Sequence, residues 1–331
     1  MLPKADDDRL LLLVFGPGTG ELVMLRAPGA GWLVIDGCSR ERKSYAQQAL
    51  AHYQERPEVV VLTHPHEDHA GGLARLIDDV ARTGEESSWP LLGMVEPLTT
   101  SVAPADPGSA AAKRRGQAEG AVAAILDRWE RARMCAWRMQ RGDTRAIGAV
   151  TLTVLSPATP QRQAMSVGGR VDENSLASAL QVDWHGVRLV LGADLEPARH
   201  WVDVLQASPG ASAHHALKVP HHGSVAALHV PLLTPSPTAH RIVTPFASQR
   251  LPRFEATGGV NELQRTAPDV HLTALPRPYA KQGGAGARIP RTQLAAQPEL
   301  QLDPKVAGFP DCFVAIEWTK DGGTRPTRSR G

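Results

Sequence analysis

Thr63–Gly72 reads THPHEDHAGG, with three histidines and two acids, His64, His66, Glu67, Asp68 and His69, inside six residues. The segment follows ERPEVVVL, whose apolar run Val59–Leu62 has the length of a buried strand. It precedes Gly71–Val80, where Leu73, Leu76, Ile77 and Val80 fall on one helical face. Strand, polar loop and helix in succession place chemistry at a strand terminus. Imidazole and carboxylate are the ligands expected for zinc, or for manganese or iron in a harder mixture. His64 and His66 can address one ion while Asp68 and His69 turn toward a second, with Gly71 and Gly72 letting the chain turn tightly behind them. The bland alternative, a solvated polar loop, leaves five ligating side chains crowded at a strand end for no purpose.

Working outward, Leu10–Leu25 and Gly31–Gly37 read as apolar strands broken by glycine-rich turns, and Arg42–Tyr53 as a helix. Leu91–Val95 predicts a strand and Thr99–Ser109 a Pro/Ser/Ala linker. Lys113–Gln140 reads as a long helix, with Val122, Ile125, Leu126 and Trp129 at helical spacing. Thr151–Leu155, Leu176–Val182 and Arg188–Leu191 predict strands, the last two flanking an Asp183–Gly186 turn. Ser156–Glu173 reads as a loop. A helix over Glu196–Ala207 and strands at His215–Val219, Arg241–Thr244 and Cys312–Trp318 follow. The expected organisation is a hydrolase domain over 1–279 with a helical insertion around 110–142, an extended excursion and closing strand over 280–318, and a disordered polar tail over 319–331.

The whole chain has 331 residues with Lys+Arg 36 against Asp+Glu 34, so net charge gives no global case for a nucleic-acid or membrane partner. It is long enough to bury a core without a staple. Gly 30 and Pro 27 favour a turn-rich fold over a helical bundle. Cys38, Cys135 and Cys312 cannot all pair and lack metal-type spacing, which fits buried thiols in a reducing compartment. The acidic start and the absence of a run near 18 apolar residues predict a cytoplasmic protein without a membrane span. Ser39 and Ser224 lack the strand-elbow-helix setting of a nucleophilic serine. Gly16, Gly18 and Gly20 are not followed by the Lys-Ser/Thr of a phosphate loop.

HxHxDH followed by GG resembles the metallo-beta-lactamase superfamily, which implies an α+β fold, a four-layer αββα sandwich, with two divalent ions between loops of its two sheets. Three further stretches carry the resemblance: VRLVLGAD ending at Asp194, Asn174-Ser175-Leu176, and LKVPHHGS from Leu217 to Ser224. Together they are most similar to the hydrolase domain of DNA-uptake (competence) channel proteins, although that branch more often has a Gly-Gln-Gly-Asp turn where this chain has Gly18, Thr19, Gly20 and Glu21. The resemblance implies His64, His66, Asp68, His69, Asp194 and His221 as metal ligands, with Asp194 bridging. His221, first after the strand and Pro220, is preferred over His222, which takes a supporting or substrate-contacting role. No histidine lies between His69 and His185, where many members of the superfamily carry a ligand. Asn174 is the candidate replacement, Asp172 and Glu173 being less secure, and the first ion is expected to be the weaker one.

Zinc is the expected metal and manganese the alternative. An ion-activated water would attack the substrate, with Asp68 as both ligand and base, Asp194 holding the bridge, and His222 or Lys218 stabilising developing charge. Lys218 reads otherwise as a solvated strand lysine. Nine basic residues from Lys113 to Arg145, offset by Glu119, Asp127, Glu130 and Asp143 and interleaved with Trp129 and Trp137, can track a nucleic-acid backbone. Arg241, Arg250, Arg253, Arg265 and Arg277 extend the basic content, as do Arg325, Arg328 and Arg330. A phosphodiester of DNA or RNA is therefore the leading substrate. A small phosphoester, cyclic nucleotide, lactone or thioester stays open, as does a protein that binds a partner and has a degraded metal site.

Overall fold

The computed structural model describes residues 2–40, 43–83, 90–94, 123, 125, 127–128, 136–158, 173–233, 239–246, 249, 251–252, 263, 270–274 and 312–328. The Thr99–Ser109 linker, most of the Lys113–Gln140 stretch, Asp172 and the 280–311 excursion lie outside the described residues.

The first half of the chain runs β1 (Leu10–Phe15), β2 (Leu22–Arg26), β3 (Trp32–Ile35), a small ribbon β4 (Ser39–Arg40) and β5 (Lys43–Ser44), α1 (Tyr45–Tyr53), β6 (Pro57–Leu62), α2 (Glu67–Ala70), α3 (Leu73–Thr83), β7 (Leu91–Met94) and β8 (Ala136–Arg138). The second half runs β9 (Thr144–Ile147), β10 (Val150–Val154), β11 (Leu180–Trp184), β12 (Val187–Leu191), α4 (Arg199–Ala207), β13 (Ala216–Lys218), α5 (Val230–Leu233), β14 (His240–Val243), β15 (Val270–Leu272), β16 (Phe313–Trp318) and β17 (Thr324–Arg328). They form an eight-stranded sheet ordered β17-β16-β1-β2-β3-β6-β7-β8 and a seven-stranded sheet ordered β15-β14-β13-β12-β11-β10-β9.

β1 shows why the sheets stack. All six residues of LLLLVF are buried, since neither face of this strand meets water. Leu11, Leu13 and Phe15 point into the layer shared with Tyr45, Leu50, Leu73 and Ile77 of α1 and α3. Leu10, Leu12 and Val14 point the other way, into the core between the sheets, where Leu152, Val182 and Leu189 meet them. A third layer packs Trp201 and Val204 of α4 and Leu232 of α5 on the outer face of the second sheet. Each fully buried Leu contributes about 1.5–3 kcal/mol. Helix, sheet, sheet, helix is the expected αββα order.

Two expectations change. The long helix does not reach Gln140, because Ala136–Arg138 is strand β8, parallel to β7. Trp137 and Met139 are buried and Arg138 between them is exposed, the period of two of a half-buried strand. The tail is ordered through Arg328, because Thr324–Arg328 pairs antiparallel with β16. Asp321-Gly322-Gly323 makes the turn, closed by the Thr319 N–H donating to the Gly323 carbonyl at 3.0 Å. Pro326 is tolerated there because β17 is an edge strand. Cys38 and Cys312 are buried. Among the described residues no helix is long and apolar enough to cross a membrane.

His214, just before β13, is buried with Nδ1 donating to the Ala211 carbonyl at 2.9 Å and Nε2 without a hydrogen-bond partner. Burial pushes its pKa down to about 4. The unfolded chain therefore takes up a proton that the folded chain refuses, and the stability His214 permits is complete above its ordinary pKa and lost as pH falls toward 4. About 3 kcal/mol is at stake. Urea unfolding from pH 7 to 4 should be less pH-dependent in His214→Asn, which can keep a donor for Ala211, and an unchanged slope would contradict this.

Candidate metal centre

The parallel strands of both sheets end at one place. β6 delivers Thr63 and His64, β12 delivers Gly192, Ala193 and Asp194, and β13 delivers Pro220, His221 and His222. The β1–β2 turn closes the floor. A Cβ on Gly20 would stand 2.5 Å from the Asp68 carbonyl, so only glycine lets this turn approach, and the next N–H, of Glu21, donates to that same carbonyl at 3.0 Å. His221 and His222 lie one after the other at φ +44° and +52°. The left-handed region is costly for side chains of this size, and here it turns both rings into the site.

Asp194 is the centre. Its carboxylate lies 3.8 Å from His64 Nε2, 3.3 Å from His69 Nε2, 3.8 Å from His221 Nε2 and 3.7 Å from His222 Nε2. In each ring Nδ1 is occupied on the far side. His69 Nδ1 donates to Asp36 Oδ2 at 2.7 Å, and His221 Nδ1 donates to Glu196 Oε2. His222 Nδ1 meets the Thr244 carbonyl at 2.9 Å and its hydroxyl at 3.1 Å. His64 Nδ1 lies 3.1 Å from Thr63 Oγ1, which itself donates to Asp36 Oδ2 at 2.7 Å and so accepts from His64. Outer partners of this kind fix the tautomer that leaves Nε2 free to ligate. His66 differs, presenting Nδ1 at 3.2 Å from His64 Nε2.

Two ligand sets result. Glu21, His69, Asp194 and His222 each offer an atom within 4.8 Å of the others, and so do His64, His66 and Asp194. Asp68 Oδ2 joins the first set, 3.1 Å from His222 Nε2 and 3.9 Å from His69 Nε2. His69 Nε2 and Asp194 Oδ1 are buried and make no hydrogen bond, an arrangement that costs free energy unless a cation binds between them. The buried Lys218 ammonium lies beside Glu21 and 3.9 Å from Asp194, while the Asp36 carboxylate bonds to Thr63 and His69 and that of Asp68 lies against His69 and His222. The donors therefore fit divalent cations in nitrogen and oxygen surroundings.

The carboxylates bias the charge of the rings, and on His69 a bound ion would have to displace a proton. Burial opposes charge on His69, but Asp194, Glu21, Asp36 and Asp68 outweigh it and hold its pKa well above the ordinary value. Burial likewise raises the Asp194 carboxyl, yet His69 and His222 bring it well below the usual range. His64 is driven well below its ordinary value by burial and by His69 and His66, and is neutral and ready to ligate.

Some expected residues take other positions. Lys218 is neither solvated nor directed at a substrate: its side chain is wholly buried, ion-paired with Glu21 and donating to the Ala193 carbonyl at 3.1 Å. Asn174, by contrast, is buried at the site as expected of a candidate ligand, with Nδ2 3.5 Å from His221 Nε2. Trp137 is buried, with Arg145 over its ring at 5.4 Å, so it offers no face to a base. Arg128 is paired with Asp78 at 2.7 Å. Arg241 is fully buried, donating to the carbonyls of Leu233 and Ala239, and burial lowers its pKa to about 10. Lys113, Arg114, Arg115, Trp129, Arg131 and Arg133 are outside the described residues, as are Arg250, Arg253, Arg265, Arg277 and Arg330. Asp36, Glu196, Thr63 and Thr244 went unnoticed in the sequence, although Asp36 ends WLVID much as Asp194 ends LVLGAD.

Residues 16–80 match the sequence profile of the metallo-beta-lactamase superfamily. Among solved structures, the chain is similar to the metallo-beta-lactamase fold protein YhfI from Bacillus subtilis, at 13% identity and TM-score 0.46, covering 78% of this chain and 94% of that one. It is also similar to a diphosphatase of the PhnP family, at 14% identity and TM-score 0.43, covering 72% and 86%. The diiron beta-hydroxylase CmlA from Streptomyces venezuelae gives 12% identity and TM-score 0.42, covering 81% and 45%. No curated protein matches the chain in sequence. With its two mixed sheets, flanking helices and ligand cluster, the chain has the metallo-beta-lactamase fold. Its site defines it as a candidate metalloprotein of that fold.

Proposed function

We propose that this chain is a metal-dependent hydrolase of phosphoester bonds, with phosphodiesters of DNA or RNA as its leading substrates. The observation that supports it is the convergence of four imidazole Nε2 atoms on the Asp194 carboxylate, which is the layout of a site for two divalent ions, zinc or manganese. When bound, such ions lower the pKa of water toward 7 and neutralise charge on a transferring phosphoryl group. Asp194 holds the two ligand sets together. Asp68, whose side chain is 13% exposed against 2% or less for Glu21, Asp36 and Asp194, is the acid placed to accept a proton from attacking water. His66, only partly buried, stands at the rim where a substrate enters. His222 is ligand rather than substrate contact in this reading, and Lys218 is the buried ion-pair partner of Glu21. The exposed Arg138 and Arg145 supply positive charge that a nucleic-acid backbone would meet.

The test incubates metal-reconstituted protein, with Asp68→Ala as control, with single-stranded DNA, duplex DNA, RNA and bis(4-nitrophenyl) phosphate. Cleavage of one or more by the wild type, reduced by at least about 100-fold in the control, supports the reading. Turnover confined to a lactone, thioester or phosphomonoester panel would replace the substrate class. No turnover on any panel, with both ions bound, would favour a partner-binding protein.

A further inference from the structure

Phe246, which follows β14, offers no ligand atom but stacks on the ring of His222, with centroids 4.9 Å apart and planes inclined by 20°. We infer that Phe246 is a specificity residue that stacks against an aromatic group of the substrate, a nucleobase or an aryl ring, while the ions hold the adjoining phosphate. This rests on the phosphoester reading and narrows the substrate class of that site.

His222 is wholly buried whereas Phe246 is only partly so, which puts the phenyl ring on the solvent side of the imidazole it covers. Phe15 and Phe313, by comparison, are wholly buried in the core. A flat apolar ring left at the surface gains free energy when a second ring covers it. His222 Nε2 lies 3.1 Å from Asp68 Oδ2 and 3.7 Å from Asp194 Oδ2, so Phe246 stands one ring away from the ligand cluster. A substrate ring stacked on Phe246 at the usual centroid separation of about 4.5–7 Å lies two ring spacings from His222, a span that the sugar of a nucleotide bridges between base and phosphate.

The platform is fixed before a ligand arrives. The Phe246 N–H donates to the Leu251 carbonyl at 2.9 Å, and the Leu251 N–H returns to the Phe246 carbonyl at 3.0 Å. Pro252, next in the chain, packs against the turn that carries His222: a Cβ on Gly223 would stand 3.0 Å from the Pro252 Cβ. A ring held in this way loses little freedom on binding. Charge points in the same direction. Residues 16–20, 65–68, 193–198 and 220–226, which form the turn and loops around the ligands, contain no lysine or arginine, and Val225 among them is 46% exposed. Beside the ions, the organic part of a phosphoester therefore meets apolar and aromatic surface.

The test loads the full chain with zinc and measures by titration calorimetry the binding of methyl phosphate, phenyl phosphate and thymidine 5′-monophosphate, which present the same phosphate on a methyl, an aryl or a nucleoside group. Wild type should bind at least one of the two aromatic phosphates about 10–100-fold more tightly than methyl phosphate, and the better of them tells a nucleobase from a simple aryl ring. Phe246→Ala should abolish that preference while methyl phosphate stays within about twofold of wild type, and Phe246→Trp should keep it. Zinc content should match wild type in both variants. Equal affinity of wild type for all three probes, or an equal loss for all three in Phe246→Ala at unchanged zinc content, would overturn the inference. If Phe246→Ala loses zinc, Phe246→Leu, which keeps an apolar cover on His222 without a flat face, decides, and a preference retained in it overturns the inference. A Phe246-dependent preference in protein that cleaves no phosphodiester removes the functional reading alone, whereas wild type that binds no zinc removes both.

Discussion

Asp194→Ala is expected to lose both turnover and stoichiometric metal, a larger effect than that of any other single substitution at the site. Its carboxylate lies within 3.8 Å of Nε2 of four histidines drawn from two loops. Removing an outer partner such as Glu196 costs roughly 10–100-fold in affinity, and a shared inner ligand should cost more, on both ions together. The prediction has a second part. Without the carboxylate, His69 loses the strongest of the anions that favour its charged form, although Glu21, Asp36 and Asp68 remain, so the metal-free variant should lose stability relative to wild type as pH falls and this ring charges. Elemental analysis after desalting, together with kcat/KM on the best substrate, checks it. An Asp194→Ala protein retaining two ions would remove Asp194 from the centre of the site.

Lys218→Met is expected to have the largest effect on stability. The ammonium and the Glu21 carboxylate are each 1% exposed or less as side chains, and they form a buried ion pair. Taking away the ammonium leaves Glu21 with the Thr244 hydroxyl at 2.8 Å and with Nδ1 of His222 and His69 at 3.5 and 3.7 Å, both of which are engaged elsewhere. Breaking such a pair costs about 3–5 kcal/mol, whereas replacing both partners by neutral groups is often close to neutral. Urea denaturation in excess chelator should therefore show Lys218→Met strongly destabilised and Lys218→Met/Glu21→Gln largely restored. A single variant within about 1 kcal/mol of wild type would contradict the uncompensated-charge account. The same pair predicts that anionic and neutral substrates lose activity equally in Lys218→Met, because the ammonium does not reach the substrate.

The double ligand motif, the strand-end position of Asp194 and the adjacent histidines were legible because each lies in a short stretch where apolar strand residues hand over abruptly to ligating types. Strand β1 was legible from its unbroken run of six apolar residues ending at a glycine. The short edge strands β8 and β17 were not, since three residues of mixed polarity in β8 and a Thr/Arg/Pro segment in β17 owe their conformation to a neighbouring strand rather than to local preference. One basic residue misled for a related reason: counting arginines cannot distinguish a solvated guanidinium from Arg241, which caps the carbonyls of Leu233 and Ala239 inside the protein.

The sequence by itself determined which residue types stand at the ends of β6, β12 and β13, and from them the kind of chemistry, because ligand identity is a property of side chains. Only the tertiary structure decided which nitrogen of each ring faces Asp194, that Asp36, Glu196, Thr63 and Thr244 hold those rings, and that Lys218 neutralises Glu21 out of contact with solvent. These depend on distances between residues far apart in the chain, up to the 223 positions separating Glu21 from Thr244, and such distances are fixed when two sheets close on a common core.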